Sequence, residues 1–267
     1  MKIFNCGVSG GTATNALLHM HSQCLVYNPT HVVIMFGVND IARTNYAPSV
    51  RDNEENITRR LNAMANCKAS YAKVIDNVIA AGASPVLCTP VPYDEVSDSP
   101  AENLECQCAL DEVADYVRTI ASERGYPLID FTAQMKPLLG KRAIISPDRV
   151  HPTPHGYHVM AQIFLHDIGA IDECDFDTPF VFEEWNEKRY EAERKLHCLK
   201  FVEFDYILHS GFAIGATLEE KKAVARAKYD SRADKSDFIS RALLEYIDNF
   251  DNYTAYVGDV VRLTTFE

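Results

Sequence analysis

Thr30-His31-Val32-Val33-Ile34-Met35-Phe36-Gly37-Val38-Asn39-Asp40 is the stretch on which the fold turns. Its first eight residues form a largely apolar run rich in β-branched side chains, bounded by Pro29 and Gly37. Such a run reads as a strand buried on both faces, as in a parallel sheet. Outward from it the same grammar repeats. Upstream, Lys2–Cys6 reads as a short strand, and Thr12 or Thr14 can cap a helix over Ala13–Gln23. Downstream, apolar residues at helical spacing predict a helix over Glu54–Ala81, with Gly82 at its end. A strand at Ala83–Pro90, a loop at Val91–Ala101 and a helix over Asn103–Glu123 follow. Then come a strand at Tyr126–Phe131, a short helix near Gln134–Leu139 and a helix over His155–His166 opened by Pro154.

Strands alternating with helices specify an α/β fold: a three-layer, flavodoxin-like parallel sheet with right-handed crossovers. Ligands bind such sheets beyond the carboxyl ends of the strands. Gly10, Asn39 and Thr89–Tyr93 all follow strand ends, and Asp148–His151 follows the last strand at some remove. The character changes after Gly169, where Phe180–His209, Leu218–Tyr229 and Lys235–Phe250 read as amphipathic helices, with one strand signal at Tyr256–Val261. The expected organisation is an α/β domain over 1–169 and a helical C-terminal extension over 170–267, serving as an appendage or, alternatively, as a lid or homodimerisation arm.

A net charge of −12 argues against nucleic acid or an anionic membrane as partner, since both call for a positive surface. No apolar run approaches the roughly 18–20 residues of a spanning helix, and Met1–Cys6 runs into the first motif without a signal peptide. Eight cysteines without CxxC pairs read as reduced, structural thiols and favour a cytoplasmic setting.

Three stretches carry chemistry. In Asp148-Arg149-Val150-His151-Pro152 an acid stands three residues before a histidine. A neutral imidazole takes a proton from a hydroxyl, and a carboxylate on its other nitrogen fixes the tautomer and stabilises the cation formed. An isolated Asp-x-x-His also occurs as a helix cap or surface pair, but Pro152–Gly156 and the helix after it put this one on a turn. Asn39, after a buried strand, could shape a turn or aim its amide at a substrate. Ser9-Gly10-Gly11-Thr12 is a glycine turn between strand and helix that lacks the Lys of a phosphate loop. His19 and His21 point apart on a helix, and His155 with His158 lacks carboxylate or thiol company, so no metal site is expected.

Together, Asn5–Thr12, Gly37–Asp40 and Asp148–Pro152 resemble three of the four sequence blocks of the SGNH hydrolases, or GDSL-type esterases, over about Lys2–Leu165. The resemblance implies serine hydrolysis of a carboxylic ester without a cofactor. It makes His151 the general base and acid, Asp148 its orienting partner, and the Gly10 N–H and Asn39 amide the oxyanion hole. The substrate class it suggests is an acyl or acetyl ester, small and neutral or of a carbohydrate, with Val91–Ala101 as specificity loop. The fourth block, Gly-Asp-Ser on a central first strand, is expected upstream of Met1, which makes the chain N-terminally truncated and nearly inactive alone. Two alternatives stand beside this: a non-catalytic descendant acting as a binding or interaction protein, or takeover of the nucleophile role by Ser9 or Ser146.

Overall fold

The structure, a computed structural model, describes residues 6–8, 10–25 and 28–178, with isolated positions between 223 and 235. The chain divides into two units, Gly11–Val181 and a second made of Met1–Gly10 with Phe182–Glu267. The strands expected at Lys2–Cys6 and Tyr256–Val261 and the three C-terminal helices lie outside the described residues or meet them only at scattered positions.

Gly11–Val181 is an α/β unit. Its described strands, β1 (His31–Met35), β2 (Ser84–Cys88) and β3 (Leu128–Ile129), pair in parallel in the order β1-β2-β3. The helices are α1 (Ala13–Gln23), α2 (Glu54–Ala80), α3 (Gln107–Arg124), α4 (Phe131–Met135) and α5 (Pro154–Asp167). Thr12, rather than Thr14, caps α1, in a capping box with Asn15. Thr153 caps α5, with Pro154 in its first turn, where a missing N–H leaves no bond unmade.

The helices sort onto the two sheet faces. Ile34 and Leu87 share one core with Met20 of α1, Tyr71, Val74, Ile75 and Val78 of α2, and Leu110, Val113 and Val117 of α3. Val86, Cys88 and Ile129 point the other way, onto Phe131 and Met135 of α4 and Val159 and Ile163 of α5. Tyr71 is wholly buried; its hydroxyl donates to the Ile34 carbonyl at 3.0 Å, and its ring meets Phe36 edge-on. Bidentate bonds from Arg118 to Asp130, which itself accepts from Thr89 Oγ1, fasten α3 to the ends of β2 and β3. Burial pushes the thiols of Cys67, Cys88 and Cys106 up to about 12, so they pack as small hydrophobes. Among the described residues no helix is long and apolar enough to cross a membrane.

Three expectations need correcting. The strand expected to be buried on both faces is covered on one only: Val33 and Met35 are 51% and 42% exposed, though their register partners Val86 and Cys88 are buried. The apolar pattern of β1 is that of a covered strand, but α4 and α5 stop short of it. Helix α3 starts four residues after the expected Asn103, because Tyr93 Oη donates to the Glu102 carbonyl and accepts the Leu104 N–H, holding that segment as loop. The strand expected at Tyr126–Phe131 is only two residues long, since Asp130 caps α4 by accepting the Ala133 N–H and draws Phe131 into the helix.

Candidate active site

The Asp148–His151 segment is the tip of a tight hairpin. Ile145 bridges Pro152 in antiparallel fashion, and the Ser146 N–H donates to the His151 carbonyl at 2.7 Å. Arg149 sits at φ +68°, a left-handed turn that swings the following N–H groups back onto Asp148. Asp148 Oδ1 accepts the Val150 and His151 N–H groups at 2.9 Å each and Ser146 Oγ at 2.6 Å. Asp148 Oδ2 meets His151 Nδ1 at 2.6 Å. Slight burial would raise this carboxyl, but those four bonds outweigh it and hold it well below the usual carboxylate range. Among the described residues no hydrogen bond is made at His151 Nε2, and the imidazole is 69% exposed.

The second turn follows β1. Asp40 is the residue that shapes it: its Oδ2 accepts the Gly37 N–H at 3.0 Å, and its Oδ1 accepts the Ala13 N–H of α1 at 2.8 Å. Burial raises its carboxyl, and the backbone donors only partly offset this. Asn39 is exposed, and its Nδ2 donates to the Gly11 carbonyl at 3.2 Å, which uses one of its two amide hydrogens. Gly37, at φ +136°, presses against Pro90 and Val113, where a Cβ would come within 3.1–3.3 Å of their side chains. The Gly37–Asp40 turn is thereby tied to Gly11, the residue after Gly10. Gly10 itself, at φ +72°, belongs to the other unit.

The two turns stand on one rim. Gly37–Asp40 leaves the carboxyl end of β1, and Thr89–Asp94 leaves that of its neighbour β2. The hairpin joins this rim where the Asp94 N–H donates to the Arg149 carbonyl at 3.0 Å. Asp148 is thus brought to His151, and Asn39 to Gly11, but no hydrogen bond between the pairs is described.

Of the two serines weighed as nucleophiles, Ser9 lies outside the described residues. Ser146 is unsuited, because its hydroxyl is a donor to Asp148 on the side of the carboxylate remote from Nε2. Two surface concavities, of about 390 and 420 Å³, are lined by Tyr93, Val96 and Lys136 and by Tyr46 and Leu61 respectively. Among the described residues no three His, Cys, Asp or Glu side chains cluster as a metal site. His155 and His158 stack on each other, and His158 also meets Gln162. Sequence reasoning missed Asp40 and Arg149. Asp40 could have been found as the acid that closes its block; a cation between the acid and histidine of the hairpin was the only signal for Arg149.

Known proteins share this chain's family and fold. The sequence profile of the GDSL-like lipase/acylhydrolase family matches residues 2–159. An acetylxylan esterase from Geobacillus stearothermophilus is 23% identical over 171 residues, which are 63% of this chain and 73% of that one. A crystal structure of that esterase aligns with a TM-score of 0.48 and 22% identity, covering 60% of this chain and 68% of that one. A gut microbial diltiazem-metabolizing enzyme shares the fold, with a TM-score of 0.54 and 21% identity over 60% of this chain and 37% of that one.

Proposed function

The chain belongs to the GDSL-like lipase/acylhydrolase family, a family of carboxylic ester hydrolases, and from that premise we propose that it supplies the base and oxyanion halves of an esterase site. The nucleophilic serine is to come from a segment outside these 267 residues, which contain no Gly-Asp-Ser. In this reading His151 Nε2 removes the serine proton as the oxygen attacks the acyl carbon, and Asp148 Oδ2 holds Nδ1–H and stabilises the imidazolium. The Asn39 amide receives the oxyanion. Collapse expels the alcohol, which takes its proton from His151. Water, deprotonated by the same nitrogen, then releases the acid and frees the serine.

The observation that carries the proposal is the 2.6 Å Asp148–His151 bond, made by a carboxylate whose other oxygen is saturated by backbone and Ser146 donors. A carboxylate so occupied cannot swing away, and the open Nε2 is the only position left for a hydroxyl. The uncovered side of β1 supports the second half of the reading. Val33 and Met35 extend the sheet face that α5 covers at Val86 and Cys88, and α5 itself exposes Tyr157, Leu165 and, at its C-cap, Ile168 along one side. An additional strand and helix would bury this apolar surface.

For substrate we favour small neutral esters, acetylated carbohydrates foremost. The net charge of −12 repels polyanions, and the acetylxylan esterase relative acts, by its name, on an acetylated glycan. The hydrolase part is assigned to 1–169, with the role of 170–267 left to dimerisation or coverage, in a cytoplasmic setting. The deciding experiment is p-nitrophenyl acetate turnover by the 267-residue chain and by a version extended with a Gly-Asp-Ser strand and helix. The expected result is turnover by the extended protein alone, with a covalent fluorophosphonate adduct on its serine. Robust turnover by the shorter chain, abolished by Ser9→Ala or Ser146→Ala, would overturn it.

A further inference from the structure

Arg149 is 7% exposed, and among the described residues no carboxylate pairs with it. Its guanidinium instead reads backbone carbonyls: Nε donates to Ala101 at 2.9 Å, Nη1 to Asp94 at 2.8 Å and Ser97 at 3.1 Å, and Nη2 to Ser99 at 3.5 Å. The backbone returns the contact. The Asp94 N–H donates to the Arg149 carbonyl, and the Ser99 hydroxyl donates to the Pro147 carbonyl. Residues 94–101 are therefore wrapped around one side chain that leaves the chain between the acid and the base.

Burying a charge away from water is costly unless every donor is met. Here four carbonyls from one loop meet it, and the planar fork fixes their relative directions as a flexible ammonium could not. One backbone rotation serves both ends of this arrangement: the +68° φ of Arg149 aims the N–H groups of Val150 and His151 at Asp148 while sending the guanidinium into the loop.

We propose that Arg149 is a positioning residue that couples the substrate-side loop 94–101 to the Asp148–His151 turn, so that the two move as one body. This rests on the esterase reading for its purpose, but its test needs no turnover, so either can fail without the other. The test is amide hydrogen exchange and proton NMR on the 267-residue chain and its Arg149→Gly variant, glycine being tolerant of the left-handed backbone. Exchange at Asp94, Val96 and Ser97 is expected to rise about tenfold or more, the loss expected when several charge-assisted bonds go. The low-field Nδ1 proton of His151 should broaden, while Val74 and Ile75 of α2 keep their protection. Millimolar guanidinium should restore both signals. The proposal is overturned if loop exchange and the His151 proton are unchanged, if exchange rises equally in α2, or if guanidinium restores nothing. Should Arg149→Gly fail to fold, Arg149→Lys gives the same contrast: faster loop exchange with α2 unchanged supports the coupling, and unchanged loop exchange or a uniform rise refutes it.

Discussion

The two turns on the rim are built around an aspartate apiece, yet the aspartates are displaced in opposite directions. Asp148 and Asp40 each collect backbone N–H donors. Asp148 lies nearer the surface, where its four donors together outweigh desolvation, so it stays ionised beside His151. Asp40 is buried, and desolvation wins over its backbone donors, which no hydroxyl or imidazole reinforces. The difference teaches that backbone hydrogen bonds define the shape of each turn, while depth and the added Ser146 and His151 partners together decide its charge. A base-orienting acid has to remain charged and sits out in the open; a brace between α1 and the Gly37 turn can tolerate burial.

The sharpest way to break the comparison is to remove what each turn presents. In a polypeptide that also carries the nucleophile, His151→Ala should lower turnover by about 10⁶-fold, the scale of losing a triad histidine. A loss below tenfold would show that the hairpin is not the base. On the other turn, Asn39→Ala should cost about 10²–10³ in kcat with KM little changed, the mark of a bond made mainly in the transition state. An effect confined to KM would make Asn39 a ground-state contact and leave the second turn without its catalytic part.

Much of this was legible in the sequence, for physical reasons that also mark where legibility ended. The Asp-x-x-His hairpin could be read because its determinants are local: an acid, a turn, a histidine and a proline-opened helix within nine residues, Asp148–Gly156. The parallel sheet could be read because apolar runs and helical spacing are also local patterns. The exposure of Val33 and Met35 could not, since composition tells what a strand would bury against, not whether a cover is there. The late start of α3 depends on Tyr93 reaching forward to residues 102 and 104, and the clamp at Arg149 on carbonyls some fifty residues upstream. Contacts of that range leave no periodicity behind them.

Of intermediate size is the effect of Gly156→Ala at the start of α5. A Cβ there would stand 2.0 Å from the Ile144 carbonyl oxygen, which itself accepts the Thr153 N–H. No rotamer relieves a clash with backbone, so α5 has to lift from the hairpin. The expected cost is about 1–3 kcal/mol, as for other overpacked sites, seen as a lower Tm, together with broadened His151 resonances. A variant with unchanged Tm and unchanged His151 signals would show that α5 does not seat the base turn.

The smallest effect is the most direct reading of the comparison, an acid titration followed at four backbone amides. The folded state raises the Asp40 carboxyl, so ionising it weakens the fold: this group's contribution to stability declines as pH rises through its folded value, which lies above the ordinary one. The folded state lowers Asp148, so its contribution is complete above the ordinary value and is lost only as pH falls through a folded value well below it. On acidification the Ala13 and Gly37 amides, which donate to Asp40, should therefore shift first. The Val150 and His151 amides should follow at lower pH, because protonating either carboxylate weakens the acceptor that its two backbone donors share. If the second pair moved with or before the first, depth would not be what separates the two aspartates, and the hairpin carboxylate would be too weakly held to keep an imidazolium paired during turnover.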